Sequence, residues 1–90
     1  MRWRQAISDG SAWVADPEPL YHLAAWRDEA GGGWDWYVLL GASGTYPRKV
    51  GQTFGRLESN ANDARHAAEV AYRRHVERTA IVAPAAPPRR

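Results

Sequence analysis

Three histidines, His22, His66 and His75, are the side chains best suited to moving protons or binding a metal near neutral pH. His66 and His75 stand nine residues apart, so on a helix they point to opposite sides and cannot share an ion. Asp63 and His66 are one helical turn apart and would give two ligands, but nothing in the chain supplies a third. They read as a solvated pair near a helix start. A nucleophile–base pair needs Ser, Thr or Tyr beside His with an orienting acid, and neither Ser43 nor Ser59 sits in a nucleophile-elbow sequence. The stretch GASGTYPRK, 41–49, has the glycines and basic end of a phosphate loop. It lacks the P-loop spacing and leads into no helix whose N-terminus would hold a phosphate, so it reads as a hairpin turn. The expectation is a non-enzymatic chain with no catalytic residue, no metal and no cofactor.

The totals narrow the class further. Ninety residues make one small domain with a marginal core, in which 5 Trp, 4 Tyr and 1 Phe supply much of the apolar volume. Cysteine is absent, which excludes disulfides, thiolate nucleophiles and cysteine-based zinc sites and suits a reducing compartment. No apolar run approaches the roughly 20 residues of a membrane span. The start MRWRQAISDG has no long apolar segment after its basic residues, as a secretory signal would. A soluble, cytoplasmic protein with no membrane contact is expected.

Charge divides the chain more sharply than its total of +2 implies. Residues 1–45 hold three basic and six acidic side chains, a net of −3, and residues 46–90 hold nine basic and four acidic, a net of +5. Such asymmetry can mark a surface that meets a polyanion, or simply a solvated helix and a basic tail. The candidates for phosphate contact are Arg48 and Lys49 on the last strand, Arg56 in the turn before the helix, and Arg74 and Arg78 on the helix. The last two have no acidic residue four positions away, and arginine's planar fork binds phosphate oxygens in pairs.

These residues need elements to hold them. Asp9-Gly10 is a favoured hairpin pair between strands at Trp3–Ile7 and Ala12–Ala15. The prolines of DPEP, at 17 and 19, close the second strand. Leu20–Arg27, WDWYVLL at 34–40 and YPRKVGQTF at 46–54 follow as strands, the middle one richest in aromatic and branched residues. From Asn60 to about Thr79 the period becomes helical. Asn60 caps and Asp63 completes a weak capping box. Ala61, Ala64, Ala68, Ala71 and His75 share one face, and Arg65, Glu69, Arg73 and Glu77 form a ladder of alternating charge on the other side. Residues 81–90 read as a flexible Pro/Ala/Arg tail. The fold class is therefore α+β: an antiparallel sheet of four to five short strands with one C-terminal helix on one face, in a single domain over 1–80.

Alternation puts Trp34, Trp36, Val38 and Leu40 on one face of their strand, and Asp35, Tyr37 and Leu39 on the other. Large rings against an alanine stripe pack to interior density, so the tryptophan face is expected to lie under the helix. His75, on that stripe, is expected at the edge of the core with a ring nitrogen bonded. For the second face, Tyr37 and Leu39 are joined by Tyr21 and Leu23 from the neighbouring strand. Either this face is a wet apolar patch fit for a partner, or Trp3, Trp13 and Val14 fold over it.

Gly51 to Tyr72, GQTFGRLESNANDARHAAEVAY, resembles the strand–helix end of plant ethylene-response-factor and arm-type integrase DNA-binding domains, through Gly55, Leu57, Ser59, Asp63, Ala64, Ala67 and Ala68. That resemblance, also shared by small phage sheet-plus-helix domains, implies a three-stranded sheet entering a major groove. WDWYVLL departs from it in carrying an aspartate and no basic residue, so no base-reading residues carry over.

Two functions follow as expectations. The first is a binding or regulatory domain of phage or mobile-element type that contacts nucleic acid or a nucleoprotein through its basic half. The second is a protein-binding inhibitor acting on a host protein through Tyr21, Leu23, Tyr37 and Leu39. Its style is similar to that of Trp-rich phage accessory proteins, among them anti-CRISPR inhibitors. A homodimer through the same sheet face is a further expectation.

Overall fold

A computed structural model describes residues 1–41, 47–53 and 56–85, with side chains as far as Thr79. Five strands precede one helix: β1 (Arg4–Ile7), β2 (Ala12–Glu18), β3 (Tyr21–Arg27), β4 (Trp34–Leu40), β5 (Arg48–Gln52) and α1 (Ala61–Ala85). The strands pair in chain order as one antiparallel meander, β1-β2-β3-β4-β5, so the fold is the expected α+β arrangement. The turn at 42–46, Phe54, Gly55 and the last five residues of the expected tail lie outside the described residues.

Two boundaries differ from the sequence reading. β2 does not stop at Ala15 but continues through Pro17 to Glu18. A register shift between Ala15 and Glu18 takes Asp16 and Pro17 out of the ladder, so the missing proline N–H breaks no bond. The helix runs past Thr79 to Ala85, taking in the first half of the stretch read as a tail. Its start is as expected: the Asp63 N–H donates to Asn60 Oδ1 at 2.8 Å.

The helix covers one side of the sheet. Under it the ladder builds two central cross-strand rows, Trp13–Ala25–Trp36 and Ala15–Leu23–Val38–Gly51. Leu23, Val38, Ala15, Ala25, Ala64 and Ala68 are all 0 % exposed. The largest fully buried side chains are the aliphatic Leu23 and Val38, each contributing about 1.5–3 kcal/mol by burial. The indoles are arranged differently from the aromatic layer expected. Trp36 packs against the core half-buried, Trp34 is half-buried near the loop end, and Trp3 and Trp13 rim the core on the β1–β2 side.

Gly51 sets how close the helix can come. A Cβ there would lie 3.0 Å from the Ala71 Cβ and 3.3 Å from the Trp36 ring. At the other end of the sheet, Gly33 lets Leu57 press on the chain: a Cβ would meet Leu57 Cβ at 2.5 Å. There Trp34 and Glu58 exchange backbone bonds of 2.9 Å, which anchors the segment that leads into α1. The glycines before WDWYVLL thus admit the connection that swings the helix back over the sheet.

The charge ladder on α1 is only partly built. Arg73 and Glu69 pair at 3.3 Å. Arg65 lies instead over the Trp13 ring, 4.4 Å from its centroid, and Glu69 Oε2 accepts the Trp3 indole N–H at 2.7 Å. This flank of the helix is a tie to the first hairpin rather than a solvated face.

Candidate binding surfaces

The register decides which side chains the helix leaves uncovered. Across β3 and β4, Tyr21 faces Leu40 and Leu23 faces Val38, while His22 faces Leu39, Ala24 faces Tyr37 and Trp26 faces Asp35. Tyr21 and Leu23 therefore belong to the core, at 7 % and 0 % exposed, and not to the partner face expected for them. The Tyr21 hydroxyl and His75 Nδ1 share a 2.8 Å hydrogen bond, and Tyr72 packs edge-on to Tyr21 at 5.0 Å. The Tyr72 hydroxyl donates to Glu18, and burial, with that carboxylate beside it, pushes its pKa up to about 12. Burial first, then Arg48 and Arg78, holds the His75 pKa below the usual histidine range. His75 sits where the sequence reading placed it.

The opposite face of the sheet has no described element over it. The alternative in which Trp3 and Trp13 close over it is overturned, since both rings lie on the helix side. Three rows cross the open face: Ala12–Trp26–Asp35, Val14–Ala24–Tyr37–Gln52 and His22–Leu39–Lys49. Trp26 and Tyr37 pack with centroids 5.1 Å apart, and His22 lies 6.3 Å from Tyr37 on its other side. The Lys49 ammonium is 5.9 Å from the Tyr37 centroid. Ala24, only 6 % exposed, lies between Val14 and Tyr37 in the central row.

The rim of this face is ionic and self-neutralising. Asp16 takes Arg4 Nη2 at 2.8 Å and His22 Nδ1 at 2.6 Å. Its hydrogen bonds to His22 and Arg4 hold its carboxyl below the usual range. Arg4 and Lys49 on this side balance Asp16 and Asp35. Trp26 and His22 are the members of the face that sequence reasoning missed, whereas Val14, named for it alongside Trp3 and Trp13, does lie there. The signal was the alternation of YHLAAWR itself, once its parity is matched to that of WDWYVLL.

The five basic candidates gather in part: Lys49, Arg74 and Arg78 line one groove, and Arg48 and Arg78 both act on His75. Arg48 lies opposite Leu40 at one end of β4, whereas Arg56 is two residues from Glu58, which bridges Trp34 at the other end. Lys49, on the edge strand, reaches Tyr37 on the open face and also lines the groove beside α1. Arg74 and Arg78 flank the helix on its β5 side, with Gly51, Val50 and Trp36, around a groove of about 510 Å³. Neither arginine has an ion-pair partner among the described residues.

No group of His, Cys, Asp or Glu suited to holding a metal occurs among the described residues, and no described helix is long and apolar enough to cross a membrane. Comparison with family models, curated proteins and solved structures returns no match.

Proposed function

We propose that this chain is a non-enzymatic binding domain that presents its uncovered sheet face to a protein partner. The reading is carried by one observation: the face centred on Trp26 and Tyr37, 5.1 Å apart, has no covering layer among the described elements. Aromatic rings beside Leu39 and Val14 offer the apolar centre that protein interfaces concentrate, and Arg4, Asp16 and His22 form a polar rim. A polyanion would need surplus positive charge to replace its counterions, and the charges on this face balance. An apolar protein surface fits it better. A chain without cysteine suits work in the reducing cytoplasm.

Leu39→Glu tests this. Leu39 is half-buried on the open face, so the substitution leaves cooperative unfolding in place. The wild-type chain, used as bait in nuclease-treated lysate, retains a protein that the Leu39→Glu and Tyr37→Asp variants lose and Arg74→Glu keeps. Equal capture by all four, or capture that vanishes with nuclease, removes the proposal.

A further inference from the structure

The helix sits off-centre, over β3, β4 and β5, and β5 is an edge of the sheet. Its outer rim of backbone N–H and C=O groups is unpaired among the described residues, and such a rim is a template for another strand. We propose that the β5 edge and the adjacent flank of α1 form a second docking site, which takes an extended acidic segment of a partner as a sixth strand.

Two observations on this side of the molecule select an acidic occupant. The groove between β5 and α1 is walled by Lys49, Val50 and Gly51 below and by Ala71, Arg74 and Arg78 on the helix. Arg74 and Arg78 point two cations over the place a sixth strand would fill, and neither has an acid of its own among the described residues. The spacing matches as well. Two helix positions four residues apart are separated by about 6 Å along the axis, and alternate residues on a strand by about 6.7 Å. Acids at every second position of an added strand would therefore reach both arginines in register. The helix axis follows the strands closely enough for this: Arg65 lies over Trp13 near the Trp34 end, and His75 bonds Tyr21 near the Leu40 end.

Trp36 lines the same groove, with the Cζ3 edge of its ring toward Gly51. Gly51 keeps the wall open there, because any side chain would contact Ala71 and Trp36.

The probe is a short fluorescein-labelled peptide alternating glutamate with valine, its affinity for the full chain read by polarisation. The expected result is saturable binding that falls at least tenfold in the Arg74→Glu, Arg78→Glu double variant. Binding should fall comparably when peptide amides are N-methylated on the face that would bond β5. Amide shifts in residues 48–52 should accompany binding to wild type. Arg74→Gln, Arg78→Gln serves if the charge reversal unfolds the chain, with a smaller loss in the same direction. The proposal is overturned by equal binding of a lysine–valine peptide, by indifference to N-methylation, or by failure of the acidic peptide to bind while a DNA duplex does. Trp26→Ala, on the open face two strands away from β5, leaves this binding unchanged, so the result is independent of the open-face reading.

Discussion

The Trp3 indole donates its N–H to Glu69 Oε2 at 2.7 Å, joining residues 66 apart in sequence across the rim of the core. β1 is an edge strand whose four residues are all exposed, so little else holds this end of the chain to the helix. Arg65 over Trp13 is the neighbouring tie. Both use the polar flank of α1 to fasten the first hairpin.

Removing the Trp3–Glu69 bond should loosen that hairpin without dissolving the fold. Trp3→Phe keeps a ring and deletes the donor, and Glu69→Gln keeps an acceptor but deletes the charge. A hydrogen bond to a charged group is worth about 1.5–3 kcal/mol, and partial exposure brings this one to about 1 kcal/mol. A double-mutant cycle in urea should return a coupling of that size. Hydrogen exchange should rise in β1 before β3. A coupling of zero would mean that the two side chains meet without stabilising anything.

How far the sequence foretold this architecture depends on the kind of signal. Composition and alternation within WDWYVLL placed Trp36, Val38 and Leu40 together under the helix, and Asn60 marked the start of α1 to the residue. What a single strand cannot reveal is its parity against the next one. The sequence alone puts Tyr21 and Leu23 beside Tyr37 and Leu39, but the β3–β4 loop closes with Arg27 opposite Trp34, and every pair above it follows. Two backbone bonds of 2.8 Å, Asp28 N–H to Gly33 O and Gly32 N–H to Asp28 O, fix that closure. A loop one residue longer would have turned Leu23 outward. The basic residues were legible as a set and only in part as a place: Lys49, Arg74 and Arg78 meet at one groove, while Arg56 lies near the Trp34 end of the sheet.

Gly51 should resist even the smallest addition. Its φ is not in the left-handed region, so alanine is free to adopt the backbone. On that ground alone, Gly51→Ala would stabilise by about 0.4–1 kcal/mol through the unfolded chain. The contact reverses the sign: the new methyl would press on the Ala71 Cβ at 3.0 Å and on the Trp36 ring at 3.3 Å. The net expectation is a loss of about 1 kcal/mol for alanine and about 2–3 kcal/mol for valine, read from urea midpoints. In an Ala71→Gly background the alanine cost should shrink. A gain in stability for Gly51→Ala in the parent chain would show that the helix is free to ride outward.

His75 should make the protein acid-sensitive in a defined window. Its surroundings disfavour the imidazolium: burial acts first, and Arg48 and Arg78 add like charge. The unfolded chain takes up this proton near pH 6.5, while the folded chain resists until lower pH. Stability is therefore complete above about 6.5, falls as pH drops through the interval between the two pKa values, and levels off below the folded one. Asp16 acts in a separate and more acid window, because its depressed carboxyl loses its contribution only as pH falls below the ordinary value of 3.8. The Tyr21 hydroxyl is a bonding partner for Nδ1 in either protonation state, so the penalty arises from placing charge there and not from a broken bond. Urea midpoints measured from about pH 7 to about pH 5 should decline in the parent chain and lie flatter in His75→Gln. Arg48→Ala should bring the His75 titration, followed by imidazole proton shifts, back toward the ordinary range. An identical pH slope in parent and His75→Gln chains would place the acid sensitivity elsewhere.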